Sequence, residues 1–162
     1  MYTQNELAQV RGLKTRRTLI AVIPAALMLA AGIALFVWGR IQRSDEMWKI
    51  TAALTVIALC YLTFLLGVYV APVRNYEKHL ERMLFGRQHL CTGILKEVGE
   101  NVCEKDGVRF YPIMLNVGEK KDGKDDRLFY FDILKEMPQI PVGERITIQH
   151  NDIMVSDYRK AE

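Results

Sequence analysis

The chain has 162 residues, half of them hydrophobic, with 22 Lys and Arg against 19 Asp and Glu. Charge is divided unevenly, +6 over residues 1–89 and −3 over residues 90–162, which argues against a nucleic-acid binder because the polar half lacks a net basic footprint. A mean hydropathy near zero averages two oily stretches with a polar tail, so the ordinary soluble class is excluded too.

Residues 1–17 are a basic N-terminal segment containing Arg11, Lys14, Arg16 and Arg17. Two apolar runs follow, Thr18 to Gly39 and Ile50 to Val73, neither holding Asp, Glu, Lys, Arg or His. At about 1.5 Å per residue they predict helices of roughly 33 and 36 Å, against a hydrocarbon core of about 30 Å. The first run exceeds the ~7–15 residues of a signal-peptide core and closes on Trp38, Gly39 and Arg40, so it is read as a retained span. Transmembrane helices at 18–39 and 50–73 with a short loop at 40–49 make a membrane hairpin.

Eight basic residues flank the outer ends of the hairpin, the four above together with Arg74, Lys78, Arg82 and Arg87; the loop holds Arg40, Arg43 and Lys49. That imbalance predicts a cell-membrane protein with both termini cytoplasmic. Trp38 and Trp48 mark one interface, Tyr69 and Tyr76 the other. Cys60 lies in the second run and Cys91 and Cys103 in the tail, where the reducing cytoplasm would keep them as free thiols and an outside tail would let the two close a disulfide. With no intramembrane ionisable residue, the spans read as an anchor rather than an ion path. Ala26, Ala30 and Ala34 in the first helix and Gly67 and Ala71 in the second are expected to pack the hairpin on itself. Pro24 is expected to kink the first helix, and Pro72 to close the second.

Residues 74–88 form an amphipathic juxtamembrane helix. Val73, Tyr76, Leu80, Met83 and Leu84 make its apolar stripe, expected to dock on the following domain, and Gly86 is its stop. From 89 to 162 the pattern is β. Thr92, Ile94 and Val98 alternate with Cys91, Gly93, Leu95 and Glu97; a short strand covers Val102 to Glu104; Asp106–Gly107 makes a hairpin turn. Tyr111, Ile113, Leu115 and Val117 line one face of the next strand, with Pro112 predicting an edge or bulge. A polar loop at 118–126 precedes an aromatic strand, Arg127 to Asp132, and the connection 133–143 holds a possible helical turn at Ile133–Met137, broken by Pro138, Pro141 and Gly143. Ile146 and Ile148 define another strand, and the Asn151–Asp152 turn leads to Ile153 and Val155. The expected fold class is thus an α+β membrane protein, with the helical hairpin, the juxtamembrane helix and a small five-stranded antiparallel β-barrel of OB- or SH3-like form.

Gly93–Ile94, Tyr111–Pro112 and Val142–Gly143, following two apolar helices, resemble a diffuse class of small bacterial membrane proteins in which a helical hairpin carries a small β-barrel. The order of strands looks like the OB fold of membrane-anchored NfeD-like domains, although their glycine-rich strand pattern is missing. This resemblance implies a fold more than a function.

No residue is assigned a catalytic, cofactor-binding or metal role. His89, Cys91 and Cys103 form the nearest approach to a soft-metal set or a Cys–His nucleophile pair, but the tight Cys spacing of structural zinc and a third orienting group are missing. Asp122, Asp125 and Asp126 with Gly123 are out of register for a calcium loop and read as a solvated hairpin tip. His79 is expected at the surface or at headgroup level, and His150 at the last turn. Phe110, Tyr111, Phe129, Tyr130 and Phe131 alternate between faces, one set filling the barrel and the other left for a protein contact or for burial beneath the juxtamembrane helix. The expected partners are the lipid bilayer and another membrane protein or a second copy, with no nucleic acid, small-molecule substrate or cofactor. The expected function is a non-enzymatic, membrane-anchored module in protein binding or scaffolding. The alternative is an accessory subunit of a transport or export complex, and an enzyme or metal-dependent sensor comes last.

Overall fold

The computed structural model describes residues 1–43, 46–118, 123–136 and 140–161. It is an α+β protein with two long apolar helical stretches and a six-stranded mixed sheet. Two compact units make up the chain: Gln9–Arg74 is one, and Met1–Ala8 together with Asn75–Glu162 is the other.

In the first unit, α1 (Gln4–Ile41) runs through Pro24, and α2 (Met47–Leu65) returns beside it. Both helical stretches are long and apolar enough to cross a bilayer. Their contact does not use the expected alanines. Ala26, Ala30 and Ala34 face outward, while Ala21, Ala25, Gly32 and Gly39 of α1 and Ala58 of α2 are buried. Thr18, Ala25, Gly32 and Gly39 recur every seven residues, so the seam follows the heptad period of a left-handed helix pair rather than the four-residue period of the alanines. A Cβ on Gly32 would touch Leu54 and Thr51 at 3.7 and 3.8 Å, which is ordinary contact. At Gly39 it would fall 2.5 Å from Met47 Cβ. Gly39→Ala is therefore expected to weaken the hairpin by about 1–3 kcal/mol through overpacking. Gly12→Ala, with open space around it, should not, and thermal unfolding in detergent compares the two.

Pro72 does not close the second helix. Its ring crowds the carbonyl four residues back, at Val68, and the chain answers with a wider π-helical segment at Leu66–Val70 before α3 (Ala71–Phe85). Arg17 Nη1 donates to the Tyr69 carbonyl of that segment at 3.1 Å, and its guanidinium lies 4.5 Å from the centre of the Tyr69 ring.

The second unit holds the C-terminal part of α3, the first residues of α1, and strands β1 (His89–Val98), β2 (Cys103–Lys105), β3 (Val108–Asn116), β4 (Asp126–Asp132), β5 (Arg145–Asn151) and β6 (Met154–Lys160). The strand order is β1-β5-β6-β4-β3-β2, and β1 also pairs with β3. This corrects the expected five-stranded antiparallel barrel: six strands form a mixed sheet that is not a closed barrel. The reason lies at the seam of β4 and β6, which run parallel and meet at a single bridge, Tyr130↔Met154, beside one bond from Tyr130 N–H to the Ile153 carbonyl.

The core contains Leu95, Ile113, Leu115, Phe129, Phe131, Ile146, Ile148 and Val155. A bulge between Leu95 and Glu97 lets Val98 join Leu95 on the core side, which strict alternation would forbid. Gly93 is required by close approach, since a Cβ there would lie 2.6 Å from the Asn116 carbonyl oxygen. Pro112 sits inside the sheet rather than on an edge. It pairs with Tyr130 of β4, and its other side falls where β3 passes from β2 to β1, so no ladder bond lacks its donor. The two predicted tight turns are present, with positive φ at Asp106, Gly107 and Asp152. At one end of the sheet, Asp126 accepts from Asn116 Nδ2 at 2.7 Å and from Lys96 Nζ at 2.6 Å, and these bonds hold its carboxyl below the usual carboxylate range.

Candidate functional site

A polar cluster lies beneath α3. The helix presents Tyr76 and His79 three residues apart, on one face, toward the sheet. Asp132, the last residue of β4, is 0 % exposed, and His79 is 6 % exposed. Tyr76 Oη donates to Asp132 Oδ2 at 3.0 Å, and the Leu134 N–H donates to Oδ1 at 2.9 Å. Tyr2 completes the cluster from the start of the chain: its Oη lies 3.2 Å from His79 Nε2 and donates to Asp132 Oδ2 at 3.5 Å. Phe110 closes the other side, its ring centre 5.1 Å from the imidazole.

A capping box holds Tyr2 in place. The Glu6 N–H donates to Thr3 Oγ1 at 3.3 Å, and the Thr3 N–H donates to Glu6 Oε2 at 3.1 Å, the reciprocal arrangement that satisfies two orphan donors at a helix start. Lys135 forms an ion pair with Glu6 and lies 4.9 Å from the centre of the Tyr2 ring. Burial pushes the Glu6 carboxyl up, but Lys135 and the Thr3 N–H outweigh it and hold it below its ordinary range.

Burial, reinforced by the Asp132 charge, raises the Tyr2 and Tyr76 phenols far above their ordinary value, so both stay protonated. Burial also depresses His79; the attraction of Asp132 opposes this and the nearby Arg82 adds to it. A neutral imidazole ringed by two neutral phenols and one carboxylate is a satisfied internal lock. Because the folded state disfavours imidazolium, the unfolded chain binds more protons once the pH drops below about 6.5, the ordinary imidazole value. Stability is therefore complete above that value and is lost as pH falls through the lower folded pKa. Melting curves between about pH 5 and 7.5 should show this slope, and His79→Asn should flatten it; an unchanged slope would assign it to another group.

Above the lock, α3, the β2–β3 hairpin and the β5–β6 turn enclose a cleft of about 350 Å³. Its floor is Met83, Val108, Phe110 and Met154, with His79 at the back; Lys78, Arg82, Lys105, Asp106 and Asp152 carry the charge of its walls. Arg82 Nη1 meets Asp106 Oδ2 at 3.3 Å, with both side chains largely exposed.

The other residues weighed from sequence are placed as follows. His89 faces His150 across β1 and β5, with ring centres 5.8 Å apart. Cys91 is half-buried, its thiol pushed up by burial and so kept from thiolate reactivity. Cys103 lies on β2 opposite Phe110, and the structure does not bring the three together. All three cysteines are free thiols. Asp122 lies outside the described residues; Asp125 ends a short 3₁₀ turn, Gly123–Asp125, and Asp126 is engaged by Asn116 and Lys96. Phe129 and Phe131 enter the core, while Phe110 is buried toward α3, so the second aromatic set divides between burial and the half-exposed Tyr111 and Tyr130. His79 corrects the surface assignment: the charged residues around it in sequence, Glu77, Lys78, Glu81 and Arg82, hid a residue that the helix turns inward. Sequence reasoning missed Tyr2 altogether, although Thr3-x-x-Glu6 marks a helix start directly after it.

No protein-family model matches this chain, and no curated protein or solved structure is significantly similar to it.

Proposed function

We propose that this chain is an integral membrane protein with two spans and cytoplasmic termini, whose β domain is a non-enzymatic binding or scaffolding module for another protein. The anchor is supported by the apolar surface the hairpin leaves uncovered: only 17 % and 11 % of its two most apolar windows are buried, an exposure that water would not tolerate. Sidedness is supported by Met1–Ala8 belonging to the same compact unit as Asn75–Glu162, which fits termini on one side, and by the positive-inside bias, which favours the cytoplasm. The pairing of β1 with β3 and β5, and of β4 with β6, supports a partly open OB-like architecture.

The observation that carries the non-enzymatic reading is the satisfied lock. Of the titratable groups best grouped for chemistry, His79 and Asp132 are buried, Tyr2 and Tyr76 are half-buried, and they spend their hydrogen bonds largely on one another. What the domain leaves open is a cleft of mixed character, the usual form of a recognition site. Affinity purification of the full chain in mild detergent tests the reading. A protein partner recovered reproducibly supports it, and consistent recovery of the chain alone overturns it.

A second reading, an accessory subunit of a transport or export complex, is favoured by the outward-facing Ala26, Ala30 and Ala34, a small-residue stripe that the hairpin itself does not use. Exchanging both helices for an unrelated hairpin separates the two, since only the first reading predicts that the partner is kept.

A further inference from the structure

We infer that the cleft between α3, the β2–β3 hairpin and the β5–β6 turn binds a single phosphate group carried on an otherwise uncharged or apolar ligand. The inference rests on reading the β domain as a binding module and names the chemistry its cleft takes. Cations reach the cleft from two sides: Lys78 and Arg82, four residues apart on one face of α3, and Lys105 from the end of β2. Arg82 pairs with Asp106 at the exposed mouth, a contact worth little in water and readily exchanged for a dianion. The guanidinium fork and two ammonium groups suit the oxygens of one phosphate. Asp106 and Asp152 on the same walls repel a polyanion, and the floor of Met83, Val108, Phe110 and Met154 accepts an apolar continuation of the ligand.

The cleft is preformed. One of its sheet-side walls is pressed onto α3 and the other onto the residues just after it, each at a glycine opposite an asparagine. At the hairpin tip, Gly107 has φ +73° and would bring a Cβ to 2.5 Å from Asn75 Nδ2. At the other wall, a Cβ on Gly86 would lie 2.4 Å from Asn151 Nδ2, which donates to the Arg87 carbonyl at 2.7 Å. Walls fixed in this way leave little ordering cost for the ligand to meet.

A phosphate of this kind comes either from a phospholipid headgroup or from a soluble phosphate compound. The test is acylation footprinting of the full chain in phosphate-free maltoside micelles, read by mass spectrometry at each lysine. Inorganic phosphate is added in one arm and phosphatidic acid, as mixed micelles, in the other. Slower acylation of Lys78 and Lys105 with Lys160 unchanged is expected, and the arm that produces it identifies the source. Arg82→Gln and Lys105→Met should each abolish protection of Lys78, with the thermal midpoint measured alongside to verify the fold. Protection in neither arm, equal slowing at Lys160, or protection that survives in both folded variants overturns the proposal. None of these outcomes depends on whether a partner protein is recovered, so the two readings fail separately.

Discussion

Phe131→Ala is expected to remove about 3–5 kcal/mol from the β domain, the usual range for emptying an aromatic core position. Phe131 is 0 % exposed, pairs with Tyr111 across β3 and β4, and meets the Tyr158 ring edge-on at 6.1 Å. It thus ties β4 to β6 at the seam where the backbone contributes one bridge. A domain of this size has about 5–15 kcal/mol in all, so the substitution consumes much of what is available. Urea unfolding of the full chain in detergent, followed by protease susceptibility of residues 89–162, measures it. Leu128→Ala on the same strand, largely exposed, should stay within about 0.5 kcal/mol; similar losses for the two would contradict the assigned core.

Asp132→Ala is the second large effect. It takes the acceptor from the Tyr76 hydroxyl, the Tyr2 hydroxyl and the Leu134 N–H together. Orphaned buried donors cost about 1–3 kcal/mol each where water does not reach them, and a net loss of about 2–4 kcal/mol is expected after partial relaxation. Tyr76→Phe breaks one of the three bonds and should cost about 1 kcal/mol. The lock also predicts that Asp132→Ala increases hydrogen exchange at residues 3–8, since Tyr2 loses one of its two partners. An unchanged exchange rate there would show that the first turn of α1 is held by Glu6 and Lys135 alone.

Much of this architecture was legible from local chemistry. Two uncharged runs, a 3.6-residue stripe after the second, and turns at Asp106–Gly107 and Asn151–Asp152 each rest on a few neighbouring residues. Ile113, Leu115, Phe129 and Phe131 were readable as core by alternation. What alternation could not convey was the bulge at Leu95/Glu97, which changes the face of β1, and the parallel bridge of β4 with β6, which depends on residues far apart in sequence. The heptad seam of Ala25, Gly32 and Gly39 was present in the sequence but masked by the three alanines at four-residue spacing, Ala26, Ala30 and Ala34. The polar lock was least visible, because a histidine flanked by Lys78 and Leu80 gives no sign of direction until the sheet is in place. The charged walls of the cleft come from three elements, and no local window contains them.

The span of the lock along the chain also governs how the domain is made. Tyr2 bonds to partners 77 and 130 positions later, so it waits for residues synthesised long after it before it is satisfied. Such high contact order makes closure of the lock a late and slow step of folding. On the membrane reading proposed above, that step would follow insertion of the intervening hairpin, which would make insertion a kinetic checkpoint for the domain.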